Sequence, residues 1–179
     1  YALVIGSEQI STRLDMEDRN TCVLFGDGAG ATVIELKEGT ELYSVWGSEG
    51  LTDVLGCTGQ NMGKAHIFMD GQKTFKNAVK RMGSAAAEVL EQSGYTMDDI
   101  DYVVCHQANE RIIDAVVKRM DIPEEKVVKV IARYGNTSAA SIPITLDDMY
   151  EQGMNEKGNR ILLATFGAGF TWASMIVEI

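Results

Sequence analysis

Tyr102-Val103-Val104-Cys105-His106-Gln107-Ala108-Asn109 reads as a buried strand that stops at a histidine and hands over to a helix. The helix is expected over Ala108 to Met120, where Ile112, Ile113, Val116, Val117 and Met120 recur on one face. Asp121-Ile122-Pro123 breaks it. A second run, Gly135-Asn136-Thr137-Ser138-Ala139-Ala140-Ser141, follows the apolar stretch Val127 to Val130, expected as a strand, and opens another helix. That helix is expected over Ser138 to Gln152, with Pro143 near its first turn and Gly153 at its end. Each run puts a polar side chain where an apolar segment stops. Strand ends of this kind are where ligand sites form in α/β sheets. His106 and Asn136 are thus able to aim two donors at one oxygen, an arrangement that stabilises a developing oxyanion in acyl transfer.

Upstream, strands are expected at Tyr1 to Gly6, which reads as buried, at Thr21 to Gly26, and at Ala31 to Leu36, with a polar loop over Ser11 to Asn20. Gly39 to Gly63 reads as irregular loop. Gln72 to Gln92 reads as a long helix, with Phe75, Val79, Met82, Ala86 and Val89 or Leu90 at helical spacing and Gly94 as its stop. Asp98 and Asp99 begin a short turn, and Arg160 to Phe166 and Thr171 to Ile179 close the chain as two strands. Alternating helices and strands define an α/β class with a mixed sheet. Val23 to Ala31 and Ala164 to Phe170 form a weak internal repeat, each read as strand, glycine turn, strand.

Composition removes several function classes. The chain has 179 residues, is 45% hydrophobic and carries a net charge of -10. That length and apolar content support a packed core. The acidic balance argues against non-specific nucleic-acid binding, which needs a basic footprint. No apolar run is long enough to span a bilayer. Cys22, Cys57 and Cys105 are odd in number and lack C-x-x-C spacing, which argues against a disulfide framework or zinc site and for a reducing cytoplasm. Tyr1-Ala2-Leu3-Val4-Ile5-Gly6 lacks the basic flank of a signal peptide, and a chain that opens on a strand without Met reads as truncated. Gly26-Asp27-Gly28-Ala29-Gly30 has no helix or Lys behind it and is not a nucleotide loop.

Four motifs in order carry a resemblance. They are Phe25-Gly26-Asp27-Gly28-Ala29-Gly30-Ala31, His106-Gln107-Ala108-Asn109, Gly135 to Ser141, and Phe166-Gly167-Ala168-Gly169-Phe170-Thr171-Trp172. Together they resemble β-ketoacyl-acyl carrier protein synthase III, within the thiolase superfamily. The resemblance implies a thiolase-like fold of two related βαβαβαββ halves. Residues 1–36 would be the terminal strands of the first half, 37–71 an irregular channel-lining connection, and 72–179 the second half. It implies condensation of an acyl-CoA starter with malonyl-acyl carrier protein, with decarboxylation.

By themselves His106 and Asn136 read as a core histidine and a turn residue. The resemblance implies catalysis for both: a neutral imidazole and an amide donating to the malonyl thioester carbonyl. It implies that the Ala168 backbone N–H serves a second oxyanion hole, and that Phe166 packs beside the nucleophile. Thr137, Ser138 and Ser141 are expected to cap and pack the following helix. The family's nucleophilic cysteine would lie upstream of this chain, leaving it inactive alone. Cys105 is rejected as nucleophile, because neighbours on a strand face opposite ways. The resemblance further implies carrier-protein contacts at Gln107, Ala108, Asn109, Glu110, Arg111, Lys76, Lys118 and Arg119. Ile67, Met69, Gly71, Phe75 and Phe166 would line the substrate channel, while His66 is not catalytic. No metal or cofactor is implied; CoA enters as thioester substrate. The implied partners are acyl carrier protein, acyl-CoA and a second copy in a homodimer, with no nucleic acid or membrane. The alternatives are a thiolase-fold ketide synthase or O-acyltransferase of secondary metabolism, and a non-catalytic half for carrier binding or dimerisation.

Overall fold

Hydrogen bonding joins Tyr102–Cys105 (β6) to Arg160–Gly167 (β7) in parallel, while Thr171–Glu178 (β8) runs antiparallel to β7. Tyr43–Ser48 (β3) completes the mixed sheet, in the order β3-β8-β7-β6. The computed structural model describes residues 1–58 and 66–179. Ala2–Glu8 (β1) pairs with Gly28–Ile34 (β2), and Leu55–Cys57 (β4) with Ile67–Met69 (β5), both antiparallel. The helices are Gly71–Ser93 (α1), Glu110–Arg119 (α2), Ile131–Tyr134 (α3) and Ser141–Glu151 (α4).

Strand alternation splits the core into two layers. Val103, Cys105, Leu162 and Ala164 share one cluster with Met82 and Val89 of α1 and Ile113 and Val116 of α2. Val104 and Ile161 share the other with Met149, Ile142 and Leu146 of α4. Helix α4 also packs on β2, so it lies between the four-stranded sheet and the β1–β2 pair. Burying a side chain such as Leu162 or Ile113 fully contributes roughly 1.5–3 kcal/mol. Helix α1 begins where the Asp70 carboxylate accepts the Lys73 N–H and ends at Gly94 in the left-handed conformation (φ 73°). Helix α2 begins after Asn109, whose side chain accepts the Arg111 N–H. It therefore starts two residues later than the apolar spacing suggests, because Asn favours the cap over the first turn.

Several sequence expectations fail for identifiable reasons. Thr21 to Leu24 is turn, and Phe25 makes a single parallel bridge to Asn136. The Asp18 carboxylate takes the Asn20 N–H and the Thr21 hydroxyl, and Asp18 O takes the Thr21 and Cys22 N–H groups, so the backbone curls. The first copy of the proposed repeat is accordingly a turn feeding β2, whereas the second is strand, turn, strand. Val127 to Val130 contributes one parallel bridge, Val103 with Val127, because the next N–H groups are taken by a side chain. The stretch Gly39 to Gly63 is not irregular: it contains β3 and β4, its residues 59–63 lying outside the described part. Tyr1 to Gly6 is a strand but not a buried one; Leu3, Val4 and Ile5 are mostly exposed, since the described residues leave much of both faces of β1 uncovered. On α1 the buried line runs through Thr74, Ala78, Met82, Ala85 and Val89, one residue off the predicted start, leaving Phe75 free to face a cavity.

Candidate active site

His106 extends the end of β6. Its N–H donates to Ala164 O at 2.7 Å and its carbonyl accepts the Ala108 N–H at 2.8 Å, so the backbone is held on both sides. Cys105 faces the α1–α2 layer, and the next residue faces α4, where His106 Nδ1 lies 2.6 Å from Ser141 Oγ. The opposite ring nitrogen is left for the cavity. His106 is 9% exposed, and burial pulls its pKa down to about 4, so the ring is neutral at ordinary pH. Burial pushes the Cys105 thiol up to about 12, which removes it as a nucleophile.

Asn136 is placed by a segment far away in sequence. Its N–H donates to Leu24 O at 3.0 Å and its carbonyl accepts the Gly26 N–H at 2.9 Å, a parallel bridge centred on Phe25. The approach is close enough that a Cβ on Gly26 would run into the Tyr134 carbonyl oxygen, and Gly135 turns the chain with φ 68°. The Ser138 N–H donates to Asn136 Oδ1 at 2.9 Å. That bond fixes the amide orientation and leaves the NH2 group as its free end. Ser138 itself sits at φ 52°, a conformation that costs a side-chain-bearing residue about 1–2 kcal/mol and that marks the turn as constrained.

His106 and Asn136 line the same cavity, of about 990 Å³. Its walls bring together the predicted residues Ile67, Met69, Gly71, Phe75, Phe166 and Ala168, with Ala108, Asn109 and Arg111 from the start of α2. Leu24 and Phe25 close one side. Cys57 of β4 also faces this space, although its sequence context gave no reason to expect it there. A second cavity of about 500 Å³ opens on the other side of His106, Ser138, Phe166 and Gly167, against Trp46 and Trp172. Phe166 packs on Phe170 with ring centroids 4.8 Å apart. No group of three His, Cys, Asp or Glu able to hold a metal occurs among the described residues.

The predicted carrier-facing residues divide. Lys76, Glu110, Arg111, Lys118 and Arg119 are exposed, away from the cavity except for Arg111. Arg111 and Lys118, seven apart on α2, share one face. The stem of Arg119 lies along α1 at Gly83, where a Cβ would come within 2.9 Å of it. Gln107 is not at a surface: it is 1% exposed. Its Nε2 donates to Cys105 O at 2.8 Å and to Val128 O at 3.4 Å. Its Oε1 accepts the Val130 and Ile131 N–H groups at 2.9 and 3.1 Å. Gln107 thus ties the histidine strand to the start of α3, which leads into Asn136. Sequence reading missed this brace, the Leu24–Gly26 clamp and the Ser141 contact. The only signal was the density of polar residues in two otherwise apolar runs.

A mixed sheet with histidine at a parallel strand end, and an asparagine turn clamped beside it over an α4-type layer, defines the thiolase-like class of α/β folds. The family described as 3-oxoacyl-[acyl-carrier-protein (ACP)] synthase III C terminal matches residues 90–179, and that described as 3-oxoacyl-[acyl-carrier-protein (ACP)] synthase III matches residues 1–50. The chain belongs to the 3-oxoacyl-[acyl-carrier-protein] synthase III family. It is 46% identical over 192 residues to the beta-ketoacyl-[acyl-carrier-protein] synthase III of Caldanaerobacter subterraneus subsp. tengcongensis, covering 98% of this chain and 57% of that protein. The solved structure of the Aquifex aeolicus synthase III superposes with a TM-score of 0.90 at 42% identity, covering 99% of this chain and 57% of the other. The Pseudomonas aeruginosa synthase III superposes with a TM-score of 0.92 at 39% identity, covering 98% and 57%. The priming β-ketosynthase of the R1128 polyketide pathway gives 0.92 at 35%, covering 99% and 56%. The chain thus spans a little over half the length of the relatives it matches.

Proposed function

We propose that this chain supplies the malonyl-decarboxylating site of a β-ketoacyl-acyl carrier protein synthase III, which condenses an acyl-CoA starter with malonyl-acyl carrier protein in fatty-acid initiation. One observation carries the reading. At both His106 and Asn136 one polar atom is tied back to the protein, Nδ1 by Ser141 and Oδ1 by Ser138, so that the remaining nitrogen of each faces one cavity. Two donors then meet the malonyl thioester oxygen. The bond to the carboxylate breaks, CO2 leaves, and the electron pair is held as an enolate whose oxygen they stabilise. A neutral imidazole suits this step, because an imidazolium would protonate the carbanion that must attack next. The carbanion adds to an acyl thioester on a cysteine outside this chain, and the Ala168 N–H stabilises that second oxyanion; its collapse breaks the C–S bond, releasing the 3-oxoacyl product and that cysteine as thiolate. Cavity size and the apolar faces of Ile67, Met69, Phe75 and Phe166 suit the pantetheine arm and acyl group.

In the same reading residues 1–36 end a first thiolase-like half, 37–71 line the channel, and 72–179 form the second half. The enzyme works as a cytoplasmic homodimer, and Arg111, Lys118, Lys76 and Arg119 attract the acidic carrier protein with Ala108, Asn109 and Glu110 at its edge. The test is CO2 release from malonyl carrier protein by the chain supplemented in trans with the first half of a relative. His106→Ala and Asn136→Ala should each lower the rate by about 10²–10³-fold; an unchanged rate refutes the assignment. The chain alone should form no 3-oxoacyl product, and measurable product would place the nucleophile within it. Charge reversal at Arg111 and Lys118 should weaken carrier binding, and an unaltered affinity would remove that surface from the account. The likeness to the R1128 priming ketosynthase favours a second reading with the same chemistry, in which the product primes a polyketide; product analysis separates the two.

A further inference from the structure

We propose that Ser141 sets the tautomer of His106: its hydroxyl donates to Nδ1, which places the ring proton on Nε2, facing the cavity. Ser141 is not a helix cap, contrary to the sequence expectation. Helix α4 has Ala140 at its N-cap position and no side-chain cap bond. The Ser141 hydroxyl instead has two neighbours within hydrogen-bond distance among the described residues, His106 Nδ1 at 2.6 Å and the Gln107 N–H at 3.3 Å. The second of these is a fixed donor, so Ser141 Oγ accepts there. The hydroxyl hydrogen then has one acceptor in reach, the imidazole nitrogen. The opposite tautomer, with the proton on Nδ1, would make Ser141 Oγ accept twice and strand its own hydrogen in a site that is 1% exposed.

The surrounding structure holds this geometry from three sides. His106 and Gln107 are fixed by the β6–β7 ladder and by the Gln107 side-chain bonds. Ser141 is fixed by the first turn of α4, where its carbonyl accepts the Thr145 hydroxyl at 2.7 Å. Its N–H donates to Ser138 O, which links it to the turn that orients Asn136. One short segment, 138–141, therefore aims both donors: Ser138 turns the asparagine amide outward, and Ser141 turns the imidazole N–H outward. The inference deepens the proposed reading of His106 as an oxyanion donor, since only an Nε2–H ring can donate to a substrate oxygen in that cavity. Ser141 acts through His106 and is a positioning residue.

The experiment is a long-range proton–nitrogen correlation spectrum of the 15N-labelled chain at neutral pH, without substrate. The chain has two histidines, and a His66→Gln variant identifies the His106 signals. The expected result is a protonated Nε2 and a pyridine-type Nδ1 displaced by an accepted hydrogen bond. A proton on Nδ1, or an Nδ1 at the position of a free imidazole, overturns the proposal. Ser141→Ala should move both nitrogens toward tautomer-averaged positions, whereas Ser141→Thr, which keeps the hydroxyl, should retain the parent pattern. A parent pattern in Ser141→Ala also overturns it. The parent spectrum needs no variant to fold. It is read without turnover, so a failed decarboxylation assay leaves this result standing; an Nδ1 at the free-imidazole position overturns the Ser141 role alone, whereas a proton on Nδ1 overturns the oxyanion reading of His106 as well.

Discussion

Replacing Gln107 with Leu separates an internal brace from a docking residue. The substitution keeps side-chain size but removes every polar contact of the Gln107 side chain. Two of these are short and end on buried residues, the bond to Cys105 O at 2.8 Å and the one from Val130 N–H at 2.9 Å. The contact to Val128 O at 3.4 Å is weak, and Ile131 is half-buried, so water replaces its partner. Leaving a buried group unsatisfied costs about 1–3 kcal/mol, so two give roughly 2–6 kcal/mol. The added apolar burial of Leu offsets about 1–2 kcal/mol of this. The expected loss is about 3 kcal/mol. With a urea slope of about 2 kcal/mol/M, the unfolding midpoint should fall by roughly 1–2 M. A surface docking residue would change stability by less than about 0.5 kcal/mol. Equilibrium urea unfolding of Gln107→Leu against the parent chain, followed by tryptophan fluorescence, measures the difference. A midpoint within about 0.3 M of the parent, at the same slope, would refute the brace and return Gln107 to the carrier surface.

Gly26→Ala should force the Leu24–Gly26 strip away from Tyr134, cost about 1–3 kcal/mol of strain, and broaden the Asn136 side-chain amide signals in NMR. His106 has a pKa near 4 when folded against about 6.5 when unfolded, so between those values the unfolded chain binds more protons. Stability is therefore full above pH 6.5 and falls as the pH drops toward 4, by up to about 3 kcal/mol, and His106→Gln should remove that part of the urea-derived stability profile. In thiol counting with a disulfide reagent on the native chain, exposed Cys57 should react first, and Cys105, pushed up to about 12, should react only after unfolding. Lys126→Met should lower the unfolding midpoint by an amount equivalent to about 1–3 kcal/mol, because the Lys126 ammonium donates to the Met97 and Ile100 carbonyls at 2.8 and 2.6 Å.

What could be read from sequence follows from how local the cause is. The strand Tyr102–Cys105 was legible to the residue, because four apolar residues bounded by Asp101 and His106 leave one buried extended reading. Helix α1 was legible within a residue at each end, since Asp70 and Gly94 supply both caps. Strands at Thr21 to Gly26 and Val127 to Val130 were misread because the Asp18 carbonyl takes the Thr21 and Cys22 N–H groups and the Gln107 side chain takes that of Val130, backbone groups a sheet would use. Apolar, β-branched composition carries no sign of that competition. Edge strand β3 was missed for the converse reason. Tyr43–Ser48 mixes Gly, Ser and aromatic residues, and only pairing with β8 makes it a strand.

The amino-acid sequence by itself determined the class of fold, the strand end at which His106 stands, the polar run that carries Asn136, and the family, because these rest on periodicity, caps and short motifs. Only the tertiary structure decided what those two residues can do. The clamp on Asn136 comes from Leu24 and Gly26, more than a hundred residues away, and the partner of the imidazole comes from α4. Hydrogen bonds between segments so distant depend on which backbones the core brings within 3 Å of each other. That is a property of packing, and no local pattern encodes it.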